Sequence, residues 1–220
     1  MYAKGLTAMA VMAALAMGRA VLPGTVADVP PEPEFAVSQI SDAVRASIVG
    51  ISWKEGCPVG IDDLRLVSVT FVDFDGDVRF GKLVAHKSVA GELADIFREL
   101  FEAGFPIAQV ALVDRYGADD TLSMEANNTS AFNYRTVEGS SSLSKHAFGL
   151  AIDINPVQNP YVVPGRGYVS PEGGRAYLGR EDARPGMVVR GDAVYAAFTS
   201  RGWRWGGDWK NTIDYQHFEK

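Results

Sequence analysis

The order of the elements predicted along the chain favours an α+β fold, a single domain with a central antiparallel sheet flanked by helices. The Asp75-Gly76 turn signal joins two stretches of strand-forming residues, 64–74 and 78–86. An amphipathic helix is predicted next, capped by Ser88 and ending near Ala103. Strands and helices do not alternate regularly along the chain, which argues against a doubly wound parallel sheet.

Length and composition are those of a globular protein with one domain, since 47% of the 220 residues are hydrophobic and 22% are charged. The net charge is −6 and no long Lys/Arg run occurs. The chain therefore lacks the basic surface of a nucleic-acid binder or of a protein that lies on anionic lipid. Cys57 is the single cysteine, so neither an internal disulfide nor a cysteine-rich zinc site is possible.

The N-terminal residues have the pattern of a secretory signal peptide. Residues 6–17 form an uncharged apolar stretch of twelve residues, whereas a bilayer-spanning helix needs about 20. Small residues at Thr25 and Ala27 allow cleavage after Ala27, so that residues 1–27 would be removed, and residues 16–18 form a rival cleavage site. An uncleaved anchor or a buried helix is the alternative. We expect a periplasmic or secreted protein that keeps no stable membrane anchor after cleavage.

The predicted domain spans residues 37–220 and follows an acidic, Pro-rich linker at residues 28–36. Apolar residues at helical spacing predict a helix over 37–47 at the start of the domain. The later elements are strands at 107–113, 151–155 and 213–219, a helix at 192–200, and long loops at 116–145 and 156–190.

Several common catalytic and binding motifs are absent from the sequence. It contains no HExxH, GxSxG or GxGxxG motif and no P-loop. The acidic stretch Asp73–Asp77 resembles the start of a calcium loop, but Val78 stands where that loop needs glycine. We interpret the stretch as the turn of the hairpin.

Histidine and aspartate residues near the C-terminus could form a metal site. His146 and Asp153 are seven residues apart, and on one helix they would be separated by about 10 Å. If Gly149 makes a turn and residues 151–154 form a strand, both side chains can face one ion. His217 offers a second imidazole, and two imidazoles with one carboxylate suit zinc. Spacing alone leaves ordinary surface or hydrogen-bonded histidines as an equal alternative.

Two segments together resemble a known superfamily. The segment from Ser144 to Ile154 is SKHAFGLAIDI, and Asp214 to Glu219 is DYQHFE. The pair resembles the zinc D-alanyl-D-alanine carboxypeptidases and dipeptidases, a superfamily that includes phage endolysins and the hedgehog signalling domain. Three further segments are most similar to its L-alanyl-D-glutamate peptidase branch: FNYR at 132–135, NPY at 159–161 and GWRWGGDW at 202–209. The resemblance covers roughly residues 60–220.

The resemblance implies a zinc centre with His146, Asp153 and His217 as ligands. It places the catalytic carboxylate three residues before the last histidine, at Asp214. This position is typically Glu in the carboxypeptidase-like members, and the shorter Asp agrees with the L-alanyl-D-glutamate branch. The carboxylate would take the proton of the attacking water and pass it to the leaving amine.

The resemblance also implies two substrate-contacting residues. Arg135 would point into the cleft and steady the scissile carbonyl or a substrate carboxylate, although a surface ion pair is the alternative for an isolated arginine. Ser144 would help to hold the substrate. In the long loop, Asp119, Asp120 and Glu125 could line the cleft or form a solvated acidic surface. Near the last strand, Trp203, Trp205 and Trp209 could bind a glycan or peptide, or pack in the core. His86 is interpreted as a structural or exposed residue.

The spacing of Asp214 and His217 carries a structural prediction. A residue three positions before His217 would point to the opposite face of a regular strand. We therefore expect either a bend between Ile213 and Tyr215 or a strand that starts only after Asp214, which places Asp214 at a loop-to-strand junction. Its carboxylate should then reach the attacking water without ligating the metal.

These observations favour an exported zinc peptidase that acts on peptidoglycan stem peptides. The L-Ala–D-Glu bond is the first choice and the D-Ala–D-Ala bond is the alternative. A non-catalytic zinc domain that binds cell wall or a protein partner is the second class of function. Asp214 and Arg135 favour the enzyme, because a structural zinc site needs neither residue.

Overall fold

Short strands and few α-helices make up residues 32–220, the part of the chain that the computed structural model describes. The strands are β1 (Phe35–Gln39), β2 (Leu64–Val72), β3 (Val78–His86), β4 (Gln109–Val110), β5 (Asn128–Thr129), β6 (Ala151–Asp153), β7 (Tyr161–Val163), β8 (Tyr168–Ser170), β9 (Arg204–Trp205), β10 (Ile213–Asp214) and β11 (His217–Glu219). The helices are α1 (Asp42–Ile48), α2 (Ala90–Glu102), α3 (Asp120–Glu125) and α4 (Ala193–Thr199). Antiparallel sheets with separate helices confirm the predicted α+β class.

The beginning of the chain is described only in part. The predicted signal peptide, residues 1–27, and the first residues of the predicted linker lie outside the described residues. Between residues 32 and 220, no helix is long and apolar enough to cross a membrane.

The helix predicted over 37–47 is wrong at its start, because Phe35–Gln39 pair antiparallel with β2 as β1. The helix begins only after Ser41, whose hydroxyl caps it by accepting from the Val44 amide.

The β2–β3 hairpin and helix α2 form the main core. The predicted turn at Asp75-Gly76 is confirmed, since β2 and β3 pair in register from Val72–Val78 to Leu64–His86. Helix α2 buries one face against this sheet, through Leu93, Ile96, Phe97 and Leu100 packed near Val67, Val69 and Leu83. Ser88 is not the cap of α2, because its hydroxyl lies 2.7 Å from Nδ1 of His86 and Val89 takes the cap position.

A second antiparallel sheet, in the order β6-β11-β9, positions the C-terminal residues. The continuous strand predicted over 213–219 is wrong. The chain leaves β10 at Asp214, bends at residues 215–216 and enters β11 at His217. Strand β10 instead joins β7 and β8 in another sheet. A side chain from β9 stabilises the bend, because the indole Nε1 of Trp205 donates to the Tyr215 carbonyl at 2.8 Å.

The two long loops contain more order than their composition predicts. Residues 116–145 include α3 and β5, and residues 156–190 include the β7–β8 hairpin. The Asn159 amide organises the second region, donating to the Ile154 and Gly186 carbonyls and accepting from the Val188 amide. The strand predicted over 151–155 is shorter than expected, because β6 ends at Asp153. Asn155 adopts a left-handed φ of 45°.

Candidate metal centre and cleft

The turn that brings His146 to Asp153 depends on a glycine. His146 lies in a 3-10 turn, Lys145–Phe148, which Ser144 caps by accepting from the His146 amide. Gly149 ends the turn with a φ of +66°, and a Cβ added there would lie 2.6 Å from the His86 backbone nitrogen. Both the left-handed conformation and the close approach favour glycine. The predicted turn at Gly149 is confirmed, and β6 carries the chain back to Asp153.

Three buried side chains converge at the end of this turn. Nε2 of His146 lies 3.1 Å from Oδ2 of Asp153, and Nδ1 of His217 lies 3.0 Å from Oδ1 of the same carboxylate. The two imidazole nitrogens are 3.2 Å apart. The antiparallel register of β6 and β11 sets this geometry, because it places His217 directly opposite Asp153. The structure thus brings together all three ligand residues expected from the sequence.

The hydrogen bonds of the two imidazoles fix which nitrogen is free. Nδ1 of His146 faces the Ala131 carbonyl oxygen, which can only accept, so Nδ1 carries the hydrogen. Nε2 of His217 faces Oε2 of Glu219 at 3.3 Å and donates to it in the same way. In the neutral imidazoles, His146 Nε2 and His217 Nδ1 are therefore the nitrogens left without a hydrogen, and both lie beside the Asp153 carboxylate. A carbonyl or carboxylate behind each imidazole is the usual support of a metal-ligating histidine.

Three acceptors in contact require a cation between them. Burial would lower the pKa of His217, but its hydrogen bonds to Asp153 and Glu219 outweigh burial and raise the pKa to about 10. Burial would raise the pKa of Asp153, but the His146 and His217 imidazoles hold it well below its usual range. A divalent cation that accepts nitrogen and oxygen ligands would satisfy all three groups at once, so the residues present fit a metal ion.

A cleft of about 240 Å³ adjoins the cluster. Its lining includes Asp153 and His217 together with the three other residues expected at the site, Arg135, Ser144 and Asp214. The structure therefore places the six residues that the resemblance assigns to the site at one cleft or directly beside it.

Asp214 is the last residue of β10 and contributes an uncommitted carboxylate to the cleft. Its Oδ1 is buried and has no hydrogen-bond partner among residues 32–220. Burial raises the pKa of Asp214 to about 7. The expected loop-to-strand junction is wrong in detail: the bend follows Asp214 at residues 215–216, one residue later than predicted. The bend still breaks the strand between Asp214 and His217.

Gly206 allows Asp214 and His217 to approach each other. A Cβ added at Gly206 would lie 2.9 Å from the Asp214 Cβ and 3.3 Å from the His217 Cβ. Both side chains therefore flank the same glycine. Any side chain at position 206 would push the carboxylate or the imidazole away from its present position.

Arg135 reaches the cleft from the hairpin before Ser144. Its guanidinium is half-buried and pairs with Asp120, with Nη2 2.9 Å from Oδ2. Its Nε is buried and has no partner in the described part of the chain. The pairing with Asp120 therefore leaves one donor free beside the cleft. Asp120 also lines the cleft.

The remaining sequence candidates separate into structural and cleft residues. Asp119 caps α3 by accepting from the Leu122 amide, and Glu125 is exposed. Trp203 and Trp205 are buried core residues, whereas Trp209 is 37% exposed, lines the cleft and lies 5.4 Å from the His217 ring.

Sequence reasoning did not assign a role to Glu219 at the site. The alternation of His217 and Glu219 on one strand face is the signal that could have found it. Gln216 lines the cleft as well, although that same alternation would place it on the opposite face.

The C-terminal part of the chain is similar to a known protein family. Residues 138–220 match the family of D-alanyl-D-alanine carboxypeptidases. The match covers less than half of the chain, but it contains His146, Asp153, Asp214 and His217. Arg135 lies just outside it. The match supports a peptidase of the superfamily that the motifs resemble, without distinguishing its branches. No curated protein and no solved structure matches the chain.

Metal binding can be tested with the three histidines of the chain. We expect His146→Ala and His217→Ala each to lose a bound divalent ion and the thermal stabilisation that it provides. An ion that binds only the folded state at 100 times its Kd adds about 2.7 kcal/mol of stability. Metal analysis after dialysis and Tm with and without a chelator measure both effects.

His86→Ala is the matched control, because His86 contacts Ser88 and lies outside the cluster. It should bind metal as the wild type does. Equal metal content in all three variants, or none in the wild type, would contradict the site.

Proposed function

We propose that the protein is a zinc-dependent peptidase that hydrolyses peptidoglycan stem peptides. The main support is that the buried His146–Asp153–His217 cluster lies at a cleft. The same cleft is lined by the guanidinium of Arg135 and by the carboxylate of Asp214, whose Oδ1 is unpaired among residues 32–220. A structural metal site is closed and needs no such neighbours. The family match at residues 138–220 supports the same class of reaction.

The ligand set favours zinc among the divalent ions. Nε2 of His146, Nδ1 of His217 and a carboxylate oxygen of Asp153 would hold it, the three-ligand arrangement of catalytic zinc. Bound there, zinc would lower the pKa of a water molecule and polarise the scissile carbonyl. Glu219 and the Ala131 carbonyl would hold the imidazoles in the required orientation.

Asp214 would act as the general base and then as the acid. It takes a proton from the attacking water while the water oxygen bonds to the carbonyl carbon. The same proton then passes to the amide nitrogen as the C–N bond breaks, which releases the amine. A pKa raised by burial toward neutrality suits a group that must both accept and return a proton.

Arg135 would stabilise negative charge on the substrate. Its free Nε can donate either to the carbonyl oxygen, where charge develops during attack, or to a substrate carboxylate. Asp120 holds the guanidinium in place through its 2.9 Å contact. Ser144, which is buried at the cleft wall, would support the substrate beside the turn that carries His146.

Two bonds are candidates for cleavage. The shorter carboxylate at Asp214 and the FNYR and NPY segments support the L-Ala–D-Glu bond. The description of the matching family, D-alanyl-D-alanine carboxypeptidase, supports the D-Ala–D-Ala bond as the second candidate. We place the L-Ala–D-Glu bond first.

We also propose that the protein acts outside the cytoplasm. The uncharged apolar stretch at residues 6–17 and the small residues before Asp28 support export, and peptidoglycan lies in that compartment. N-terminal sequencing of the protein from its natural host should find a start near residue 28. Recovery of the intact chain from the cytosol would contradict export.

A digestion experiment tests the activity and the bond together. We expect the zinc-loaded protein to act on a disaccharide-pentapeptide and to create new D-glutamate amino termini. Labelling of new amino termini followed by mass spectrometry identifies them. Release of D-alanine as the main product would instead assign D,D-carboxypeptidase activity. Absence of any cleavage by the zinc-loaded protein would favour a non-catalytic binding domain.

The same substrate separates catalysis from metal binding. Asp214→Asn should keep stoichiometric zinc but lose roughly 10²–10⁴-fold in single-turnover rate, the usual contribution of a positioned general base. Asp75→Asn is the control, since Asp75 is exposed in the β2–β3 turn and does not line the cleft. A zinc-loaded Asp214→Asn variant that works near the wild-type rate would rule out this role.

A further inference from the structure

Gln216 is a buried residue of the cleft that the proposed mechanism does not use. Its side chain is 2% exposed and contributes to the cleft lining. Its backbone is fixed, because the Gln216 carbonyl accepts from the Ile154 amide at 3.0 Å. The side-chain nitrogen lies 3.2 Å from the Met124 sulfur, and Oε1 has no partner within the described range 32–220.

The orientation of the Gln216 amide follows from its contact with Met124. A thioether sulfur is a weak acceptor and donates nothing. The amide NH₂ can therefore face it favourably, whereas a rotated amide would place a carbonyl oxygen against the sulfur lone pairs. This leaves Oε1 as the free atom of the side chain. The free group is thus a neutral hydrogen-bond acceptor on a residue that lines the same cleft as Asp214 and His217.

A buried acceptor without a partner destabilises a folded protein relative to an apolar side chain of the same shape. Methionine at position 216 would fill similar volume against Met124 without this penalty. Among residues 32–220, the side-chain amide makes only a weak hydrogen bond to the Met124 sulfur, which does not require an amide at this position. A ligand that donates a hydrogen bond inside the cleft would explain the amide.

We propose that Oε1 of Gln216 accepts a hydrogen bond from a backbone amide N–H of the bound peptide. This assignment rests on the proposed peptidase function and adds a substrate-positioning residue to it. A neutral acceptor suits the neutral N–H that every peptide bond of a stem peptide offers. A charged substrate ammonium would instead be drawn to the carboxylates of Asp214 and Glu138, which line the same cleft. Gln216 would then align the backbone before attack.

The substitution Gln216→Met tests the assignment through two readouts that should move differently. Zinc content should stay stoichiometric, and Tm should stay the same or rise because the unpaired oxygen is gone. The value of kcat/KM for the stem peptide should fall about 5- to 100-fold, the effect of leaving one buried polar group unpaired in the complex.

Gln158→Met is the matched control variant. Gln158 is also buried, but its Oε1 accepts from the Asn127 side chain at 2.9 Å. Its loss should lower Tm and leave kcat/KM unchanged. A Gln216→Met protein with a lower Tm and wild-type kcat/KM would show a structural role and overturn the inference.

A series of substrate analogues identifies the donor. Each non-scissile amide N–H of the stem peptide is replaced in turn by an ester oxygen. One ester should lower kcat/KM of the wild type by about the same factor as Gln216→Met. That ester should cause little further loss in the variant, as expected for two changes that remove one hydrogen bond.

The outcomes of this series distinguish failure of the Gln216 inference from failure of the proposed peptidase function. If every ester has the same effect in both proteins, Gln216 does not accept from the substrate backbone. If the variant does not fold, the wild type alone still decides, since no sensitive ester would refute the inference. If the zinc-loaded wild type cleaves no stem peptide, the proposed function itself is wrong and the inference fails with it.

Discussion

The rest of the site depends on one constraint, the contact between three buried acceptors. These are His146 Nε2, His217 Nδ1 and the Asp153 carboxylate. Groups of this kind attract one another only through a cation. Without a cation these acceptors repel one another, and the surrounding backbone holds them together against that repulsion. The Gly149 turn and the pairing of β6 with β11 bring the residues into contact, and Glu219 and the Ala131 carbonyl orient the imidazoles. A metal centre is the simplest explanation of such an arrangement.

The groups that would perform chemistry are held separately from this cluster. Asp214 belongs to β10 and therefore to a different sheet from His217, although only two residues lie between them. The bend at residues 215–216 makes this possible, and Gly206 gives both side chains room. Arg135 is oriented by Asp120 from α3. The site thus combines a buried cluster with neighbouring side chains whose polar atoms are unpaired among residues 32–220.

The sequence predicted those features that depend on local pattern. The β2–β3 hairpin follows from alternation and an Asp-Gly turn, and the link from His146 to Asp153 follows from a glycine at the right distance. Features that depend on distant partners were missed. Residues 35–39 form a strand because β2 offers a free edge. Residues 213–219 break because β7 pairs with residues 213–214 and Trp205 binds the Tyr215 carbonyl inside the bend. Neither partner is visible in a local window.

The most direct test of the metal centre is a crystal structure of the zinc-loaded protein, with anomalous diffraction recorded at the zinc absorption edge. We expect one peak about 2.0–2.2 Å from His146 Nε2, His217 Nδ1 and an Asp153 oxygen. Asp214 and Glu219 should lie beyond coordination distance. A zinc ion bound through Nε2 of His217 with Glu219 as a ligand, or located away from these residues, would contradict it.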